Sequence, residues 1–174
     1  PSLEVEVLSA PQTSILRFLH ENQADLAILI ERVGIDEREA FQEFTSEVLA
    51  AVVAPGHPMA GVSVRPDDLL DNRQIAVASR ETRGGDPRLL VSRKIWRTDS
   101  HLAALSLVQA GLGWAYLPKR LVEPYVASGS LVALQFQNMS NQIRLWVDVV
   151  WLRDRPMGLA ARRFIELMRT AKET

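Results

Sequence analysis

Short apolar runs alternate with amphipathic segments along this chain, and that alternation limits the fold more than any other property of the sequence. Leu3, Val5 and Val7 alternate with Glu4 and Glu6, the period-two pattern of a strand with one wet face. Ser9-Ala10-Pro11 reads as a strand-to-helix turn, with Pro11 suited to a first helical turn. Ile15, Leu16 and Leu19 give the next segment an apolar stripe, and Ala24 to Ile30, apolar apart from Asp25, reads as a buried strand. The chain therefore opens strand, helix, strand.

The same alternation continues. Residues 31–43 are polar and read as weakly ordered. A strand rich in β-branched residues comes next and ends at the firm turn Pro55-Gly56-His57-Pro58. Ile75 to Ala78 is a short buried strand, and residues 79–97 read as a polar loop with a weak helix or strand. Thr98-Asp99-Ser100 supplies N-cap oxygens to a buried helix over Leu102 to Gln109, which Gly111 and Gly113 stop before the strand Trp114 to Leu117. A short helix over Leu121 to Ala127 stops at Gly129. Strands are expected over Leu131 to Phe136 and Ile143 to Leu152, and Ala161, Phe164, Ile165 and Met168 mark one face of a terminal helix. This order argues for an α/β protein with mostly parallel sheets flanked by helices. The two long strand regions, residues 44–54 and 143–152, are where the chain would pass between two lobes.

Composition narrows the function. Twenty basic and twenty-one acidic side chains leave a formal charge of −1, so this stretch lacks the basic surface needed to neutralise phosphates. The absence of cysteine removes disulfides and thiolate metal sites and fits a reducing cytoplasm. No apolar run approaches the roughly 20 residues that cross a bilayer, and no signal peptide is visible. His20, His57 and His101 have no partner at metal-ligand spacing, and neither phosphate-loop nor nucleophile-elbow patterns occur. No catalytic residue, metal or cofactor is therefore expected.

In open α/β sheets, ligands sit beyond the carboxyl ends of the strands. That rule selects Ser9, Ile30, Arg80, Thr98 and Ser100. Arg80, within a group of six basic residues, reads either as part of a solvated loop or as the partner of a ligand carboxylate. Ser9 and Ser100 read as simple helix caps or as caps that also face a ligand, and the two readings are compatible.

Several segments, in order, resemble the regulatory domain of LysR-type transcriptional regulators. Gln23 to Ile28 resembles its "G-x-x-D-L-A-I" strand, and Val52 to Ala60 its "H-P-L-A" turn, with Val64 to Leu69 the "V-x-x-x-D-L" sequel. Leu107 to Pro118 resembles "L-V-x-A-G-L-G-I-A-x-L-P", and Gly129 to Val132 resembles "G-x-L-V". The resemblance implies a two-lobed, periplasmic-binding-protein-like (type 2) fold. One lobe would comprise residues 1–47 and 147–174, with its first strand and helix missing, and the other residues 48–146. It also implies a small-molecule effector, such as a carboxylate or aromatic acid, in an inter-lobe cleft touched by Ser9, Ile30, Thr98 and Ser100. Self-association as a dimer or tetramer, a cytoplasmic location, and DNA contact only through an absent N-terminal helix-turn-helix domain complete the expectation. A transport-associated solute-binding protein of the same fold is the alternative.

Overall fold

A computed structural model of the chain describes residues 4–32, 34, 36–78, 88–155 and 157–170, with the side chains of 169 and 170 outside the description. The chain divides into two compact units. Unit 1 is Pro1–Ser46 with Leu145–Thr174, and unit 2 is Glu47–Arg144. Two long strands, β2 (Glu39–Val53) and β9 (Gln142–Leu152), contribute residues to both.

In unit 1, α1 (Gln12–His20) leads to β1 (Ala27–Ile30), which pairs antiparallel with β9 in the register Ala27↔Val150 to Ile30↔Val147. Because side chains alternate across a strand, Ala27 and Leu29 lie on one face and Ile28 and Ile30 on the other. The first face carries the core. Leu19 of α1, Ala27, Leu29, Val150 and Leu152 are buried together, with Ile15 and Leu16 packed against them. The last helix, α5 (Leu159–Thr170), buries Ile165.

Two expectations for unit 1 are corrected. Residues 4–8 keep their alternating pattern but form no ladder with any described residue. A strand exists only by pairing, and residues 4–8 have no described ladder partner. Second, the polar stretch before the crossing strand is partly ordered, because β2 begins at Glu39. The carboxylate of Glu39 is only 3% exposed and accepts from Arg32 Nη1 at 3.2 Å, while His20 Nε2 lies 2.9 Å from its other oxygen. Arg153 Nε donates to the Glu39 carbonyl at 2.9 Å, and the Arg32 guanidinium lies 4.1 Å from the Phe41 ring centroid. Partners that satisfy a buried acid allow a polar segment to enter a sheet.

Unit 2 is built around a larger apolar core. Its part of β2 pairs antiparallel with β6 (Ala115–Pro118) and β7 (Val132–Ala133). Two parallel pairs also occur here: β3 (Ser63–Val64) with β8 (Gln135–Phe136), and β4 (Gln74–Val77) with β5 (Ile95–Thr98). Parallel pairing thus occurs in short ladders, whereas β2 and β9 pair antiparallel with β6, β7 and β1. The helices are α2 (Pro66–Asp71), α3 (His101–Gln109) and α4 (Lys119–Ala127). Ten buried residues, among them Val52, Ile75, Leu105, Val108 and Leu117, form one cluster that α3 and α4 cover.

Local chemistry explains the boundaries in unit 2. Gly111, at φ +75°, supplies the left-handed turn after α3. A Cβ at Gly113 would sit 2.4 Å from the Arg73 carbonyl oxygen, and the glycine lets Trp114 N–H reach that oxygen at 3.0 Å. The fully buried Trp114 then donates its indole N–H to the Asn72 carbonyl at 3.3 Å. The buried Gln74 accepts from the Val91 and Ser92 amides at 2.9 and 3.1 Å, which holds residues 91–92 against β4.

Candidate functional site

The carboxyl end of the β4–β5 pair lies in unit 2. Thr98 is the last residue of β5, and its carbonyl accepts from Ala78 N–H at 2.9 Å just past β4. Its hydroxyl accepts from the Ser100 N–H at 3.2 Å. Ser100 is the N-cap of α3: its hydroxyl accepts from Ala103 N–H at 3.3 Å and its carbonyl from Ala104 N–H at 3.0 Å. Thr98 and Ser100 are therefore brought together by two hydrogen-bonded steps at a helix N-terminus, where first-turn N–H groups and the helix dipole favour negative charge. Both residues are half-buried, so each serves the local fold and still reaches solvent.

His101, the first residue of α3, adds a titratable group at the same place, one that the sequence rule for strand ends does not select. Loss of hydration around its ring lowers its pKa, although the residue keeps solvent access, and Glu47 opposes the shift only in part. Its imidazole is accordingly neutral at pH 7 and presents one donor and one acceptor. Its position as the first helical residue after a Thr-Asp-Ser cap is the signal in the sequence that could have found it.

In unit 1 the candidates behave differently. Ser9 is exposed and lies two residues before the helix cap, which is Pro11; no side chain caps α1. The expectation that Ser9 caps this helix is therefore corrected. Proline lacks an N–H and already has the φ that a helix start requires, so the chain enters α1 without a hydroxyl cap. Ile30 ends β1 as expected and is half-exposed beside its partner Val147. Next to it, Glu31 adopts a left-handed φ of +47°. Its N–H donates to the Trp146 carbonyl at 2.8 Å, and its carboxylate accepts from Trp146 N–H at 2.8 Å. This two-way clamp holds the backbone of the half-exposed Trp146 beside the end of β1, and no feature of the local sequence announces it. Arg80 lies outside the described residues.

One further group gathers chemistry-bearing side chains. His20, Asp36 and Glu39 present ligand atoms within 4.8 Å of one another. Glu39 is already bonded to Arg32 and His20, and Asp36 is gripped by the Arg38 side chain at 2.7 and 2.9 Å, which pulls its carboxyl pKa far below the usual range. Two guanidinium groups therefore neutralise the carboxylates that would hold a cation, and the cluster acts as an ionic latch on the start of β2.

Comparison with known proteins places this geometry in a family. The family model described as the LysR substrate binding domain matches residues 1–173. The transcriptional regulator AceR of Acinetobacter baumannii is 36% identical over 174 residues, covering 99% of this chain and 58% of its own. The multiple virulence factor regulator MvfR of Pseudomonas aeruginosa is 32% identical over 135 residues, 74% of this chain and 39% of its own. The chain thus spans less than two thirds of the length of these relatives. The regulatory domain of MetR, a LysR family regulator from N. meningitidis, superposes with a TM-score of 0.76 at 21% identity, covering 96% of this chain and 79% of that one. At that identity the superposition speaks to the fold, which is α/β and of the periplasmic-binding-protein-like type expected. Among the described residues no helix is long and apolar enough to cross a membrane. Matched over nearly its whole length, the chain belongs to the LysR substrate-binding-domain family and is the effector-binding domain of a LysR-type regulator.

Proposed function

We propose that this domain senses a small anionic or hydrogen-bonding metabolite and converts its binding into a change in DNA binding by the intact regulator. The observation that carries the reading is the Thr98–Ser100 cluster at the N-terminus of α3, beyond the carboxyl ends of two parallel strands. Such a terminus offers N–H groups and hydroxyls to a carboxylate, and the neutral His101 beside it adds a donor or acceptor without a competing charge. Ser9, Ile30 and Arg80, the other residues that the sequence selects, are each proposed as effector contacts in their own right, Arg80 as a charge-assisted partner. The ligand undergoes no chemistry. It shifts the regulator between conformations only by its differential affinity for them, typically about 1–3 kcal/mol of coupling. The proposed intact regulator works in the cytoplasm as a dimer or tetramer and reaches DNA through a separate helix-turn-helix domain. Because AceR and MvfR are regulators, this reading is favoured over transport-associated solute binding.

The experiment is a thermal-shift screen of small carboxylates and aromatic acids, followed by Ser100→Trp. A ligand at about 100 times its Kd stabilises the native state by about 2.7 kcal/mol. With Ser100→Trp, that Tm shift should collapse while the unliganded protein still melts cooperatively. An unchanged titration in the variant would remove this cluster from the site.

A further inference from the structure

Strand β5 uses one side of its backbone within unit 2. The Gln74 N–H donates to the Lys94 carbonyl and the Ala78 N–H to the Thr98 carbonyl, both at 2.9 Å. In a ladder, residues that bond a given neighbour alternate with residues that face away from it. With Gln74 in register with Ile95, the N–H and C=O groups of Trp96 and Thr98 serve β4, and those of Ile95 and Arg97 point outward. Among the described residues no backbone partner occupies these outward groups. Such an edge is a template for a further strand.

The side chains around this edge favour one sign of charge. β5, the flanking residues 93, 94 and 99, and the side chains that pair or stack with them hold four bases, Arg73, Arg93, Lys94 and Arg97, against two acids, Asp71 and Asp99. The chain as a whole has a net charge of −1, so the local excess is of opposite sign to the average. Arg93 pairs with Asp71 at 3.4 Å, whereas no ion pair holds Arg73, Lys94 or Arg97 among the described residues. Trp96, in the middle of the edge, is 44% exposed, and the Arg73 guanidinium lies 4.1 Å from its ring centroid, which steadies the indole at the surface. Basic side chains on an edge also guard it against self-pairing, but a guard has no use for an exposed indole.

We propose that the outer edge of β5 docks an extended, acidic segment of another protein, which adds a strand beside Ile95 and Arg97 and sets an apolar side chain against Trp96. Carboxylates on that segment complement Arg73, Lys94 and Arg97. A second copy of this chain, pairing β5 with β5, would instead bring Lys94 and Arg97 against the same residues, and like charges opposed across strands are destabilising. Nucleic acid has the complementary charge, but its phosphates only accept hydrogen bonds and so leave the Ile95 and Arg97 carbonyls without donors. The proposal is independent of the effector reading, which uses the hydroxyls of Thr98 and Ser100 rather than this backbone.

The test is amide hydrogen exchange at Ile95 and Arg97 in the intact regulator, with an end-blocked peptide of alternating valine and glutamate as the probe. That peptide should slow both amides about tenfold or more. A valine–lysine peptide of equal length, a valine–glutamate peptide N-methylated at every residue and a single-stranded oligonucleotide should leave them unchanged. Arg97→Glu should reverse the preference, so that the valine–lysine peptide now protects the Ile95 amide. Lys94→Glu serves the same purpose where Arg97→Glu does not fold, and Trp96→Ala should weaken binding of the valine–glutamate peptide severalfold. No slowing at the highest soluble concentration of that peptide overturns the proposal and leaves the bases as a guard alone. Equal slowing by the N-methylated peptide overturns it in favour of charge attraction without strand pairing. Slowing by the oligonucleotide alone overturns it in favour of nucleic acid, and slowing with protein concentration alone in favour of a second copy.

Discussion

Unit 2 and unit 1 solve the same problem, covering a sheet, with different means. Unit 2 closes its sheet with apolar packing: ten residues are buried in one cluster under α3 and α4, and the polar groups it buries, Gln74 and Ser92, are bonded to nearby backbone. Among the described residues unit 1 buries five in its comparable cluster, and it holds the start of β2 through Glu39, which is ion-paired with Arg32 and hydrogen-bonded to His20. It also leaves Val5, Val7, Ile28 and Ile30 exposed. Apolar packing is non-directional and tolerates adjustment, whereas a buried charge pair is sensitive to the loss of either partner. The two units should therefore respond differently to substitutions of similar size.

The largest expected effect is in the apolar core. Trp114→Ala removes the largest fully buried side chain among the described residues and its bond to Asn72, and should cost about 3–5 kcal/mol. Hydrogen exchange measured on the variant should accelerate in β4, β6 and α3 and much less in α1 and β1. Equal acceleration in both units would mean that they unfold as one block, with no difference in how each is held.

A smaller loss is expected from the latch. Glu39→Gln keeps the shape of the side chain but leaves the nearly buried guanidinium of Arg32 without its counter-charge. The expected cost is about 3 kcal/mol, the low end of the range for stripping one partner from a buried pair. Acceleration should appear at the start of β2 and in α1. If Glu39→Gln instead matches the parent Tm, unit 1 is held by its apolar contacts alone and differs from unit 2 only in size.

The same contrast governs how much can be read from sequence. In unit 2 the decisive signals are local. Gly111 needs a left-handed φ and Ser100 caps the helix it precedes, so neighbouring residues dictate α3 and the turn that ends it. Thr98 and Ser100 are legible as site candidates for that reason. In unit 1 the decisive partners are distant. Glu39 finds His20 across 19 positions, and Glu31 finds Trp146 across 115, so neither the ordering of residues 36–43 nor the clamp on Trp146 shows in any window of sequence. Residues 4–8 fail in the opposite sense. Their alternation is a correct local preference for a strand, but strand formation is decided by a neighbour. Ser9 misleads because a hydroxyl near a helix start is a good signal only when proline does not already occupy the cap position.

The mildest and most specific effect concerns protons, and it should fall on unit 2. His57 and His101, both in that unit, have pKa values below the ordinary histidine value of 6.5 because their rings lose hydration. A histidine with a lowered folded pKa binds fewer protons in the native state than in the unfolded one, so stability rises with pH while the two states differ. The contribution is complete above about pH 6.5 and is lost as the pH falls from there through the folded-state value. His101→Gln removes one of the two groups and should flatten the acid limb of a Tm-against-pH curve while changing the Tm at pH 8 little. Glu47→Gln removes the charge that raises the His101 pKa, so by NMR titration the His101 midpoint should move lower still. A midpoint that moves up in that variant would show that the Glu47 charge does not favour the protonated ring, and that loss of hydration acts there unopposed by it.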